Sequence, residues 1–283
     1  MASTSTAKPS SAMEESPNWL EMPHELMANI LQRLGTAEIL NSARKVCTTW
    51  RRICKNPEMW KVIVMHKSFD DWDEDYALER LTKQAVDLSC GELIDISIKG
   101  FGTDELLDYI VLRSCKLKRL SLKSCYRMTE TGLIQAVKRV PQLEELHIFN
   151  IFINTEHIEA IGRNYPQLKS FGVNSVSRGT FNNYDDNALA IASNMPELRC
   201  LGLLDKGMTN KGLEAILNGC PHLESLYIGM CYNLNLDGDL KKLCMERIKD
   251  FKFYLHVEED EEDDYDDFGL SSRDVDGWSD YDD

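Results

Sequence analysis

The residues of this chain able to do covalent or metal chemistry are six histidines and nine cysteines, with glycines as the possible frame of a phosphate site. None of them falls at a working spacing. Zinc sites need Cys-x-x-Cys or His-x-x-x-His pairs, and neither occurs. Gly207 to Gly212 has the outline of a phosphate loop, but Leu213 stands where the phosphate-binding lysine belongs, and Gly100-x-Gly102 lacks a third glycine. No Gly-x-Ser-x-Gly elbow is present to expose a nucleophilic serine. His147 reads as an outward position on a strand, and Cys54 and Cys220 read as packing or boundary residues. These absences predict a chain that is not an enzyme and takes no metal or cofactor. What remains is recognition chemistry: cations, rings and small apolar side chains placed to be presented to another protein.

Their placement depends on a repeat. The pattern apolar, two residues, apolar, one residue, apolar recurs as Leu93/Ile96/Ile98, Leu117/Leu120/Leu122, Leu143/Leu146/Ile148, Leu168/Phe171/Val173, Leu198/Leu201/Leu203, Leu223/Leu226/Ile228 and Ile248/Phe251/Phe253. The first positions lie 24, 26, 25, 30, 25 and 25 residues apart, the period of a leucine-rich repeat with one short strand and one helix per turn. Pro141, Pro166, Pro196 and Pro221 each sit two residues before a repeat's first apolar residue, where proline stops the preceding helix. Thr103, Thr129 and Thr209 are placed to cap the next helix through their hydroxyls. Cys125 and Cys231 each lie three residues after the last strand position, in the Asn/Cys slot of the repeat. One turn cannot bury its own apolar face, so turns stack.

Strand residues alternate. With Leu120 and Leu122 pointing in, Arg119, Ser121 and Lys123 point out, and the same phase exposes Glu145, His147 and Phe149, then Ser170, Gly172 and Asn174, then Cys200, Gly202 and Leu204, then Ser225, Tyr227 and Gly229. A basic end near Lys99, Arg119 and Lys123 gives way to an aromatic and glycine-lined middle. The expected target-binding residues are therefore Arg119, Lys123, His147, Phe149, Leu204 and Tyr227, with Phe149 and Tyr227 as exposed anchors. The one long turn carries its extra residues in 175–184. That insertion must leave the stack at its edge, so Phe181 and Tyr184 join the list as rim contacts.

The stretch from Trp19 to Trp60 is different in kind. Met22-Pro23-x-Glu25 opens a helix, with proline at a tolerated first position. Leu26, Ile30 and Leu34 recur at i, i+4, i+8 with Met27 and Leu31 beside them, an apolar arc wider than one contact needs. Gly35 ends this helix. Thr36 is placed to cap a second bearing Ile39, Leu40 and Ala43, and a third carries Val46, Trp50 and Ile53. Three short helices make a thin core, and a partner covering the second face would stabilise it. Trp60, Val62 and Val64 alternate as one face of a strand. With a helix from Tyr76 to Leu88, that strand reads as the N-terminal cap of the repeats.

Two resemblances follow from these residues. The Leu-x-x-Leu-x-Leu-x-x-Cys turns with a Thr-capped helix resemble the cysteine-containing leucine-rich repeats. Met22-Pro23-x-Glu25, Ile30-Leu31-x-x-Leu34, Ile39-Leu40, Val46-Cys47-x-x-Trp50-Arg51 and Trp60 resemble an F-box, with Met22 where the family usually has Leu. Together they are similar to plant F-box/leucine-rich-repeat proteins of the SKIP-like group. The resemblance implies that Met22, Pro23, Ile30, Leu31, Leu34, Val46 and Trp50 serve a Skp-type adaptor. Through it the chain would join the cullin and RING subunits of an SCF ubiquitin ligase as the receptor of a target protein. The alternatives are a repeat scaffold outside any ligase, or a binder of basic proteins through its acidic tail.

The expected architecture is an α/β solenoid, a leucine-rich-repeat horseshoe preceded by a three-helix F-box. Residues 1–16 form a disordered start, 17–60 the F-box, 61–92 a linker and cap, 93–257 the repeats and 258–283 a disordered acidic tail. Of the net charge of −15, the tail holds 14 Asp/Glu against one Arg. The body before it is nearly neutral, which gives no electrostatic case for nucleic acid. No apolar run spans a bilayer. An odd cysteine count and the absence of Asn-x-Ser/Thr fit a reducing compartment, nucleus or cytoplasm.

Overall fold

The computed structural model describes residues 22–67, 75–175 and 184–254. A helical module comes first: α1 (His24–Gln32), α2 (Thr36–Glu38) running through a π turn (Ile39–Ala43) into α3 (Arg44–Val46), α4 (Thr48–Ile53) and a 3-10 turn (Pro57–Trp60). Strands and helices then alternate: β1 (Val62–His66), α5 (Asp75–Leu88), β2 (Asp95–Lys99), α6 (Asp104–Arg113), β3 (Arg119–Lys123), α7 (Glu130–Val137), β4 (Glu145–Phe149), α8 (Thr155–Asn164), β5 (Ser170–Ser175), α9 (Asp186–Asn194), β6 (Cys200–Asp205), α10 (Asn210–Gly219), β7 (Ser225–Gly229), α11 (Asp239–Arg247) and β8 (Asp250–Tyr254). The strands form one open parallel sheet whose spatial order is their order in the chain. This is the leucine-rich-repeat architecture, and the strands fall on the repeating apolar pattern.

The register explains the pattern. Ile96, Leu120, Leu146, Phe171, Leu201, Leu226 and Phe251 are Cα partners in sequence across the sheet, and all but Phe251 are buried. Their side chains meet the helices in a continuous core. Each prolyl slot lies in the turn between helix and strand, just after α7, α8, α9 and α10. The residue after β2, β3, β4 and β7 is in each case left-handed: Gly100, Ser124, Asn150 and Met230, with φ of 85°, 54°, 55° and 59°. The chain leaves the sheet there by the same sharp bend in each of these turns. The bend is comfortable for glycine and asparagine and costly for methionine.

Beneath the bend lie the slot cysteines. Cys125 Sγ is 3.4 Å from the Lys123 carbonyl and 3.6 Å from that of Ile98, and Cys231 Sγ is 3.3 Å from that of Gly229. Burial pushes the Cys125 and Cys231 thiols up to about 12, which makes them packing groups rather than nucleophiles. All nine cysteines are free.

Consecutive helices are tied by a repeated device. Thr103, Thr129 and Thr209 accept from backbone N–H groups of Leu106, Gly132 and Lys211 as the sequence predicts. The carboxylate of Asp104 reaches forward one turn to accept from Thr129 N (2.8 Å) and Thr129 Oγ1 (2.6 Å). Asp185 does the same for Thr209, at 2.8 Å to each atom. A Cβ on Gly132 would come within 2.2 Å of the Asp104 carboxyl, and one on Gly212 within 2.5 Å of Asp185 Oδ1. The glycine three residues after the threonine is the space the aspartate needs.

Two expectations about the helical module require correction. Thr36 does not cap its helix: Gly35 holds the N-cap position, and the buried Thr36 hydroxyl accepts instead from Val64 N at 3.1 Å. Val46 closes the second helical segment rather than opening the third, because Cys47 is extended (φ −154°, ψ 172°) and begins α4 by accepting from Trp50 N through sulfur. Trp60, fully buried, donates Nε1 to the Cys54 carbonyl at 2.9 Å, so the module and the first strand share one core.

Candidate functional site: an exposed helix stripe and the concave sheet

The helical module carries two apolar stripes on α1. Met27 and Leu31 are buried, at 2% and 0% exposure, whereas Leu26 is 54% exposed and Ile30 is partly exposed. Helical spacing sets the stripes about 100° apart, so one enters the core while the other faces outward. Of the residues expected to meet an adaptor, Pro23, Leu34 and Val46 are exposed, and Met22, Ile30 and Trp50 are partly buried. Leu31 is wholly core and acts by supporting the helix. Leu26, which is not among the residues expected to meet an adaptor, shares the outer stripe through its i, i+4 relation to Ile30.

Between this module and α5 lies a groove of about 690 Å³ bordered by Arg44, Lys45, Arg51, Lys55 and Arg80. A second groove, about 630 Å³, opens at the rim near Tyr126, Thr129, Asn150 and Phe152.

Trp60, expected on the same face as Val62 and Val64, instead ends the 3-10 turn and is buried. On the concave face β1 alternates, with Ile63 and Met65 buried and Val62, Val64 and His66 exposed. The middle strands do not. Lys123, His147, Phe149, Leu204 and Tyr227 all point away from the main core, yet they are 5%, 7%, 5%, 1% and 2% exposed. The expectation that Phe149 and Tyr227 stand out as exposed anchors is therefore corrected. Phe149, Leu204 and Tyr227 form a separate apolar cluster with Cys200 packed against it. Glycines make room for it: a Cβ on Gly172 would lie 2.8 Å from the Phe149 ring, and one on Gly229 would lie 2.4 Å from a Leu204 methyl. The side chains lie down across the sheet.

Polar neighbours fix the same face. The Arg119 guanidinium lies 3.0 Å from the buried Asp95 carboxylate on the adjacent strand, so it is a paired cation. His147 Nε2 and Ser170 Oγ are 2.9 Å apart. The Tyr227 hydroxyl donates to Asp250, and Lys252 Nζ sits 5.2 Å from the centre of the Tyr227 ring. Burial pushes the Tyr227 hydroxyl well up, and the Asp250 carboxylate adds to the shift. Burial also raises the Cys200 thiol to about 12. The Cys200 thiol and the Tyr227 hydroxyl thus keep their protons and serve packing and hydrogen bonding. At the rim, Tyr184 is 41% exposed and lies against Gly207. Phe181 and most of the long insertion fall outside the described residues. Among the described residues no group of three metal-ligating side chains is assembled, and no helix is long and apolar enough to cross a membrane.

A small helical module with an outward apolar stripe, fused to a sequentially stacked repeat sheet, defines an F-box protein with leucine-rich repeats. Residues 19–62 match the F-box domain family. The chain belongs to the plant F-box/leucine-rich-repeat proteins of the SKIP-like group. It is 45% identical to the F-box protein SKIP19 of Arabidopsis thaliana, across 87% of this chain and 80% of that one. It is 48% identical to the putative F-box/LRR-repeat protein 23 of the same plant across 83% of this chain, and it spans about half (53%) of that relative's length. Among solved structures it is similar in fold to the yeast Rad7 and Elc1 complex, with a TM-score of 0.50 and 19% identity over 75% of this chain and 56% of that one.

Proposed function

We propose that the chain is the non-catalytic, target-recognising subunit of an SCF-type cullin-RING ubiquitin ligase, working in the nucleus or cytoplasm. The F-box docks a Skp-type adaptor, which brings the cullin and RING subunits, and the concave sheet and its rim hold a target protein. The carrying observation is the doubled apolar face of α1, with Met27 and Leu31 inward and Leu26 and Ile30 outward. A helix that already fills its core has no structural use for a second apolar stripe unless something covers it. The chain's contribution to ubiquitin transfer is proximity: holding a target beside the loaded enzyme raises its effective concentration there. The surface proposed for the target comprises Arg119, Lys123, His147, Phe149, Leu204 and Tyr227, with Phe181 and Tyr184 at the rim. Nucleic acid and membrane are not proposed as partners.

Co-purification with a recombinant plant Skp-type adaptor tests the reading. Leu26→Asp with Val46→Asp changes only exposed side chains, so adaptor capture is expected to be lost while thermal unfolding stays near that of the parent. Undiminished capture would remove these residues from the interface. A parent chain that captures no adaptor would leave a repeat scaffold outside the ligase. Substituting Leu31 is a poorer probe, because its burial mixes folding with docking.

A further inference from the structure

We propose that the groove between the F-box helices and α5 is a binding site for a small, multiply phosphorylated anion, which ties the helical module to the first helix of the repeats. The inference does not rest on adaptor docking. Among the described residues none from α1 borders the groove, so it is separate from the outward stripe of that helix.

Charge is the first argument. Three stretches of chain bring cations to the groove: Arg44 and Lys45 from α3, Arg51 and Lys55 from α4 and the turn after it, and Arg80 from α5. Its other borders, Leu40, Asn41, Leu81 and Gln84, carry no charge. Among the described residues none of these five cations pairs with a carboxylate. That is not the habit of this chain, in which Lys116, Lys118, Lys169, Arg199 and Lys249 each meet a glutamate of a neighbouring turn. Like charges around one groove repel one another, and the repulsion costs stability until an anion enters.

Shape and lining name the ligand. A volume of about 690 Å³ is that of a small-molecule site. Leu40 and Leu81 are the only apolar borders and both are buried, and no aromatic ring lines the groove among the described residues. Nothing there would hold an apolar body or stack on a nucleobase. The three arginines offer planar forks that take phosphate oxygens in pairs, and the two lysines add point charges. Arg51 Nε already donates to the Arg44 carbonyl at 3.3 Å, which sets its fork in place before a ligand arrives. A compact ligand with several phosphates uses all of these groups. Because the cations come from both the helical module and α5, the same ligand would hold the two together.

Calorimetric titration of the full chain with inorganic tripolyphosphate tests this, with citrate at matched ionic strength as the control anion. One-to-one binding of tripolyphosphate is expected, with a higher unfolding temperature and slower hydrogen exchange at 41–55 and 80–84. Lys45→Gln/Lys55→Gln/Arg80→Gln alters only exposed side chains. It should weaken binding about tenfold or more, the loss expected when charge-assisted hydrogen bonds are removed. Lys138→Gln/Lys211→Gln, elsewhere on the surface, should leave the affinity as it is. Unchanged affinity in the groove variant, equal binding of citrate, or slowed exchange confined to other segments of the parent would each overturn the proposal. Loss of binding in Lys99→Gln/Lys123→Gln would move the anion to the concave face and do the same. Two further arms separate the sources of phosphate and charge. A peptide with paired phosphoserines that binds more tightly than tripolyphosphate would make the occupant a partner protein. Displacement of tripolyphosphate by the Skp-type adaptor would assign the groove to the adaptor interface. Either result overturns the small-ligand assignment.

Discussion

The hydroxyl of Thr36 accepts the backbone N–H of Val64 at 3.1 Å, joining the start of the second F-box helix to the outer edge of the sheet's first strand. An edge strand exposes donors that invite foreign strands. Here one donor is taken by a side chain 28 residues upstream. Thr36→Val keeps the shape and removes the acceptor. It should cost about 1–3 kcal/mol, because the donor is left in a partly buried place. Thermal unfolding should fall and the Val64 amide should exchange faster. If neither moves, water already serves that amide.

Gly132 and Asp104 give a test with an unusual sign. Glycine to alanine inside a helix ordinarily stabilises by about 1 kcal/mol. At Gly132 the added methyl would strike the Asp104 carboxyl, so Gly132→Ala should destabilise. Asp104→Ala on top of it should recover part of the loss, although Asp104→Ala alone is harmful through its lost bonds to Thr129. A double-mutant cycle by urea denaturation measures this coupling. Simple additivity would show that the helices separate freely enough to admit the methyl.

Leu201, on β6, is wholly buried in the sheet's inward row. Leu201→Ala should cost about 2–5 kcal/mol from lost burial and the cavity left behind. Lys211→Ala, on the exposed side of α10, is the control and should change little. Equal effects would mean that the core does not depend on this row.

Glu144 sits between Lys118 Nζ at 2.8 Å and Lys169 Nζ at 2.5 Å, a carboxylate bridging three successive turns. Hydrogen bonds from Lys118 and Lys169 hold its carboxyl below the ordinary carboxylate value. A depressed acid stabilises the fold above its unfolded pKa, and that contribution is lost as pH falls through the folded pKa. Glu144→Gln should therefore destabilise at pH 7 by less than about 1 kcal/mol, the group being partly solvated and screened. The difference from the parent should vanish near pH 3. Urea midpoints of both proteins at the two pH values decide it, and a difference unchanged by pH would remove the charge from the explanation.

The repeats were legible because their signals are local and periodic. Leu198, Leu201 and Leu203 recur in phase with Pro196 before them and Thr209 after them, and each signal reports on one turn alone. What escaped depended on distant residues. Nothing near Thr36 announces that its hydroxyl serves Val64. Alternation along a strand tells which way Phe149, Leu204 and Tyr227 point, but not whether that side is open or covered. Gly172 and Gly229 held the missing sign: glycines in the outward rows of a sheet admit rings lying across them. On α1 the sequence showed too many apolar residues for one face, and only the packing separated Leu31, inside, from Leu26, outside.

Because the sheet's spatial order is the order of the chain, synthesis and assembly share a direction. Each strand leaving the ribosome finds its only earlier partner already in place, so the array can grow without waiting for residues still to be made. The F-box helices and the edge bond at Val64 come first and present a finished template to β2. Among the described strands β8, with Phe251 and Phe253 only partly buried, is the latest to join and the natural first loss. Assembly would therefore run as a zipper from the F-box along the described strands, and unfolding would begin at β8.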